Sequence, residues 1–133
     1  MNLYDWTKHY IVFKDLMKKQ IVKKTFLETS IIVEEKKEQK IYLVMEVLEE
    51  ALPSLKKIKK EYKYYITTIN NMNNCNSLIN KWEEFSKHKN LTILFVDVQE
   101  NEKWIIHPAT HHSISEEKIL KEGILSMYQA SKQ

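Results

Sequence analysis

Residues Leu91 to Pro108, LTILFVDVQENEKWIIHP, constrain the fold more than any other stretch of this chain. Two apolar runs flank a short acidic turn, the pattern of a β-hairpin. In the first run Ile93, Phe95 and Asp97 fall on one face and Leu94, Val96 and Val98 on the other, so period-two spacing buries most of both faces. Such a strand belongs inside a covered sheet, with further strands beside it. The tip, Gln99-Glu100-Asn101-Glu102, is acidic in a chain of net charge +3. It reads either as a displayed docking element or as a plain solvated turn.

Upstream, Leu3, Trp6, Tyr10, Phe13 and Met17 recur at helical spacing, with Lys8, Asp15, Lys18 and Lys19 off the stripe. This predicts an amphipathic helix over residues 3–20 whose stripe belongs to the core. IVKKTFLETSIIVE and KIYLVMEVL are rich in β-branched and aromatic residues and are separated by the charged EKKEQK, which predicts an antiparallel pair. Residues 48–60 read as a helix interrupted near Pro53 or as a loose crossover. YYITTI, from Tyr64, is a strand signal, and the Asn-rich NNMNNCN offers caps for a helix through Leu78, Ile79, Trp82 and Phe85. Past the hairpin, Ser113-Ile-Ser-Glu116 forms a capping box for a last helix through Ile119, Leu120, Ile124 and Tyr128. Gly123, the one glycine of the chain, lies in that helix and is expected to permit close packing against a neighbour. The order α, β, β, crossover, β, α, β, β, α predicts one α/β (α+β) domain over residues 1–133, a mixed sheet with flanking helices.

One glycine is too few for a phosphate-cradling loop or a dinucleotide fingerprint, which removes nucleotide-driven chemistry. All 21 basic residues are lysines. Without a guanidinium fork, sequence-specific reading of DNA is unattractive, and lysine acts on phosphates as a point charge. Residues 1–63 hold 14 Lys against 10 acids and residues 64–133 hold 7 against 8, so a polyanion contact belongs mainly to the first half. Lys18, Lys19, Lys23 and Lys24 are the candidates there, with a solvated face as the equal alternative. No apolar run approaches the roughly 18–20 residues of a membrane span, and MNLYDWTKHY lacks the regions of a secretory signal. With a lone cysteine, Cys75, this places the chain inside the cell, in nucleus or cytoplasm, with no membrane partner expected.

Candidate chemistry is sparse. His107, His111 and His112 cluster after the hairpin, but no second cysteine or adjacent carboxylate completes a metal set, so neither metal nor cofactor is expected. Cys75 in its Asn-rich segment reads as inert. A metal-dependent nuclease of the PD-(D/E)xK type would use Glu46 on a strand. The lysine wanted two residues on is Leu48, and Glu34-Glu35-Lys36 lies in a charged turn.

Two segments resemble the nuclease-type domain of tRNA-splicing endonucleases. They are YIVFKDLMKKQIVKKT, residues 10–25, and SLINKWEEFSKHKNLTILFVDVQENEKWIIHP, residues 77–108, together about a third of the chain. The resemblance implies a restriction-endonuclease-like, tRNA-endonuclease-like fold. In catalytic members it implies metal-free cleavage of RNA by a Tyr, a His and a Lys. Lys89 falls near the lysine position, whereas the stretch before Tyr64, KKIKKEYK, lacks the histidine, the group best suited to proton transfer at neutral pH. The expected role is therefore that of the small non-catalytic structural subunit, which pairs with a catalytic endonuclease subunit or with its own copy. By resemblance Asp97, Glu100 and Glu102 are docking acids, and Trp104, Ile105 and Ile106 form the dimer-facing strand. Two alternatives stand beside it: a nucleic-acid hydrolase built around Glu46 or His107, and a protein-interaction domain unrelated to RNA.

Overall fold

A computed structural model describes residues 1–114 and 117–131, with the side chains of residues 112–119 outside the description. The capping box proposed at Ser113–Glu116 and the side chain of His112 lie outside the described residues. Six strands form one mixed sheet in sequence order: β1 (Ile21–Phe26), β2 (Ser30–Glu35), β3 (Gln39–Val44), β4 (Lys63–Ile69), β5 (Leu91–Asp97) and β6 (Glu102–Ile106). β1, β2 and β3 run as an antiparallel meander, β3, β4 and β5 are mutually parallel, and β6 returns antiparallel to β5.

Parallel neighbours need crossovers, and both crossovers lie on one face. The first passes through a 3₁₀ turn (Leu48–Ala51) into the short helix α2 (Leu52–Leu55), where Pro53 sits in the opening turn and is harmless. The second uses α3 (Met72–Asn80) and α4 (Trp82–Ser86), separated at Lys81. Asn71 caps α3 by accepting the Asn74 N–H at 2.8 Å, as the Asn-rich segment led us to expect. With α5 (Pro108–Ile114) and α6 (Glu117–Ser131) these elements cover Tyr64, Ile66, Leu91, Ile93, Phe95, Trp104 and Ile106. The opposite face is covered by α1 (Leu3–Asp15) alone, which packs Leu3, Trp6, Tyr10 and Ile11 on Ile31, Val33, Tyr42, Val44, Leu94 and Val96. β5 is the inner strand its sequence called for, with Ile93, Leu94, Phe95 and Val96 fully buried between the two layers.

The structure corrects four expectations. Residues 21–47 make three strands instead of two, because the chain reverses at Leu27–Thr29 without glycine, proline or asparagine to announce the turn. α1 stops at Asp15, five residues short, since the Asp15 carboxylate accepts the N–H groups of Gln20 (2.7 Å) and Ile21 (3.2 Å) and turns the chain into β1. Met17 therefore falls beyond the helix and stands in solvent, and Phe13, within α1 but off the face of Leu3, Trp6, Thr7, Tyr10 and Ile11, is exposed as well. Glu46 lies exposed in a bend after β3 rather than on the strand. Gly123 packs against nothing: a Cβ built there meets no atom within 4 Å.

No helix among the described residues is long and apolar enough to cross a membrane. Because Gly123 costs helix propensity without a packing return, Gly123→Ala should stabilise the fold by about 0.5–1 kcal/mol, read as a higher midpoint in urea unfolding followed by circular dichroism. A lower midpoint would mean that α6 needs the glycine.

Candidate nucleic-acid interface

One helix cannot cover six strands, and α1 leaves open the part of its face where β3, β4 and β5 begin. There the sequence supplies lysine, tyrosine and histidine. Lys40 opens β3, Lys63 and Tyr65 open β4, Thr92 opens β5, and His107 follows β6, whose last residues run antiparallel beside the start of β5. An open cleft of about 480 Å³ is lined by Lys60, Tyr62, Lys63, Tyr65, Lys89, Thr92 and His107, with Glu38 and Glu61 on its wall. A narrower recess of about 210 Å³ beside it adds Lys14, Lys18, Lys37 and Lys40 at the end of α1, with Asp15 and Glu35, and shares Glu38. The two recesses together hold seven lysines (14, 18, 37, 40, 60, 63 and 89) against four carboxylates (15, 35, 38 and 61).

Those carboxylates are already engaged where the structure shows a partner. Asp15 serves the backbone of Gln20 and Ile21. Glu35 meets Lys40 at 3.0 Å, and Glu38 meets Lys63 at 3.0 Å and Lys40 at 3.9 Å. The hydrogen bond to Glu38 raises the Lys63 pKa, which keeps that ammonium charged. The loop carrying Lys60 and Tyr62 is fixed by Asn90, whose Nδ2 donates to the carbonyls of Lys59 (2.8 Å) and Tyr62 (2.6 Å). The cleft is thus a positioned cationic surface with aromatic rings in its floor, the combination that holds a single-stranded polyphosphate.

Tyr10 concentrates charge at the seam between α1 and the sheet. Trp6 stacks on its ring at 5.1 Å, while Lys14 Nζ and Lys103 Nζ lie 5.6 and 5.3 Å from the ring centroid. Burial, and then the field of Tyr65, push the Tyr10 hydroxyl up to about 12, so the ring is neutral. Partial desolvation, followed by the charges of Lys40, Lys18 and Lys103, draws the Lys14 ammonium below its usual range. Glu35 offsets part of this repulsion, and the net effect on Lys14 is still a lowering, so an anion at this seam would be favoured.

His107 is the group that sequence reading did not connect to this place. Its Nδ1 lies 2.9 Å from Thr92 Oγ1, which fixes the ring and leaves Nε2 for a ligand, and the His111 ring stands 6.4 Å away, nearly parallel at 4°. Partial burial, then His111 and Lys14, hold its pKa below the ordinary histidine range. Lys89 lies in the cleft, as does the KKIKKEYK stretch through Lys60, Tyr62 and Lys63. Its density of lysine and tyrosine ahead of a strand was a signal available in the sequence.

The other candidates lie elsewhere. Of the four lysines assigned to phosphate contacts, Lys18 alone lines these recesses, while Lys23 and Lys24 stand on the β1 edge and Lys19 sits in the preceding turn at φ 51°. Glu100 and Glu102 are exposed at the hairpin tip, and Asp97 accepts the Glu100 N–H at 3.1 Å, shaping the turn. That tip is anchored: Asn101, at φ 53°, accepts the Trp6 indole N–H at 2.8 Å. Trp104 and Ile106 point into the core, Trp104 stacking on Phe95 at 4.1 Å and donating to Asn70 at 3.0 Å, and Ile105 is half-buried. β6 is the last strand in the sheet, so its outer side pairs with no strand of the described residues. Buried Cys75 has its pKa raised by desolvation, which lowers its reactivity. Among the described residues no three His, Cys, Asp or Glu side chains converge as a metal set.

The lowered His107 pKa has two consequences of defined sign. The unfolded chain binds the proton more readily, so this contribution to stability is present above about pH 6.5 and is lost as pH falls below it. A bound phosphate reverses the preference, so affinity for a fluorescein-labelled oligo-uridine should rise between about pH 7.5 and 5.5, and His107→Ala should remove that part of the rise in an anisotropy titration. An unchanged pH profile in the variant would place the RNA away from His107. Comparison with protein-family models, with curated proteins and with solved structures found no match.

Proposed function

We propose that this chain is a non-catalytic, RNA-contacting structural subunit of an RNA-processing assembly, with a restriction-endonuclease-like fold and a tRNA-splicing-endonuclease-like role. The observation that carries the RNA contact is the cleft in which Lys60, Lys63, Lys89, Tyr62, Tyr65 and His107 are brought together from separate segments. An antiparallel meander leading into parallel strands, with helices on both faces, agrees with the nuclease-like element order read from the sequence. The exposed Glu100 and Glu102 agree with the acidic tip as the contact to a catalytic partner. Lysine rather than arginine along the cleft favours backbone contact without base reading.

A second reading rests on the same cleft. His107, Lys89 and Tyr65 supply a general base, a cation for developing phosphate charge and a phenol, a set able to cleave RNA without a metal. His107 is neutral near pH 7, as a base requires. One assay separates the two. With single-stranded RNA in EDTA, the structural subunit binds and leaves the strand intact, and Lys63→Glu with Lys89→Glu weakens binding by about tenfold or more and lowers the salt slope by about 1.4. Lys23→Glu with Lys24→Glu should change affinity by no more than about threefold, since those lysines lie outside the cleft. Cleavage lost in His107→Ala would replace the structural role by the catalytic one, and equal binding by both double variants would refute the cleft as the RNA site.

A further inference from the structure

The flank formed by the end of α1 and the outer edge of β1 adjoins the recess of Lys14 and Lys18, sharing Asp15 and Ile21 with it, and lies apart from the cleft of Lys60, Lys63 and Lys89. Where α1 stops, Leu16 and Met17 are 62% and 90% exposed, and Val22 on β1 is 69% exposed. Val12, Leu16 and Val22 share one groove, and exposed apolar side chains gathered in this way mark a contact site. Lys19, Lys23 and Lys24 join Val12, Leu16 and Val22 around a shallow groove of about 450 Å³. Asp15, the one carboxylate of residues 12–24, is held by the backbone of Gln20 and Ile21. The surface is apolar and cationic together, and its complement is apolar and acidic.

The backbone decides what kind of acidic ligand fits. β1 begins the sheet order, and no strand of the described residues pairs with its outer side. Leu27 N–H donates to the Ser30 carbonyl at 2.9 Å, so hydrogen-bonded pairs recur at Thr25–Ile32, and the N–H and C=O groups of Lys24 and Phe26 point away from the sheet. A lipid surface covering this edge would leave those groups without partners in a medium that offers none. A second copy pairing edge to edge would set one Lys23-Lys24 pair against another, and like charges opposite each other repel. An added strand satisfies the backbone, and acidic side chains on it satisfy the lysines.

We propose that β1 is a docking edge for an extended segment of a partner protein that carries adjacent acidic residues, one for each face of β1, flanked by aliphatic ones. The segment adds a seventh strand beside β1, its acids paired with Lys23 and Lys24 and its aliphatic side chains covering Leu16, Met17 and Val22. This interface is separate from the RNA cleft and stands whether or not the cleft binds RNA.

The test is selection of a random decapeptide phage library on the folded chain, followed by affinity measurements with the leading peptide. Enriched sequences should carry Asp or Glu at adjacent positions, flanked by Val, Ile or Leu. The leading peptide should lose about tenfold or more in affinity for Lys23→Glu with Lys24→Glu. It should lose more for Lys24→Pro, which removes an outward N–H, than for Lys24→Ala. Thermal melts verify that each variant is folded, and the glutamate pair, exposed on an edge, carries the test where the proline does not fold. Failure to enrich any peptide, or enriched peptides indifferent to these variants, overturns the proposal. So does dimerisation through this edge in sedimentation, or co-sedimentation with phosphatidylglycerol vesicles that is lost in Met17→Ser.

Discussion

The carboxamide of Asn74 holds the crossover face together, and the rest of the arrangement depends on it. Buried in the first turns of α3, it accepts the Leu48 N–H at 2.9 Å and donates to the carbonyls of Glu46 (2.8 Å) and Ile69 (2.7 Å) and to Thr68 Oγ1 (3.1 Å). These are the backbone ends released where β3 and β4 stop. Left unpaired in the interior, each would cost about 1–3 kcal/mol, so one side chain satisfies what the two parallel strands leave open. Asn70 repeats the device beside it, accepting from Trp104 and donating to Ser131 of α6 at 2.7 Å, which ties the edge strand β6 to the last helix.

The two ends of the parallel strands consequently differ in character. At their C-terminal ends the buried polar groups Thr68, Asn70 and Asn74 are neutral and hydrogen-bonded, and Trp6 and Asn101 close the hairpin against α1. A buried Thr7–Thr67 hydroxyl pair at 2.9 Å fixes α1 across the sheet in the same neutral way. The charges gather at the N-terminal ends, where α1 gives out and Lys14, Lys40, Lys63, Lys89 and His107 meet. Neutral networks rigidify without favouring a ligand, whereas excess cations on a partly desolvated surface favour an anion. The neutral network thereby positions the end proposed to hold the polyanion.

How far the sequence could be read follows from how local each signal is. β5 was legible because Ile93 to Val96 form an unbroken apolar run between polar segments, the pattern of a strand buried on both faces. β2 was not, because Leu27-Glu28-Thr29 reverses the chain with none of the residues that usually mark a turn. The helical stripe was right through Tyr10; it failed at Phe13, because the buried face runs on through Ile11 instead, and at Met17, because periodicity does not register a helix end set by Asp15 reaching forward to Gln20 and Ile21. The cleft was half legible: Lys89 was singled out through a resemblance, and the lysine and tyrosine run before β4 lay in plain view. His107 came from a strand that folds back beside β5, and a contact with Thr92 fifteen residues away leaves no periodic trace.

The central claim is that a polyphosphate strand lies along the N-terminal ends of β3, β4 and β5 on the α1 side. The most direct measurement is an amide chemical-shift map of the intact chain titrated with an unstructured oligo-uridine in EDTA. The account predicts saturable shifts confined to Lys14, Lys40, Lys60 to Tyr65, Lys89 to Thr92 and His107. Shifts centred instead on Lys23 and Lys24, or spread over the surface without saturation, would contradict it.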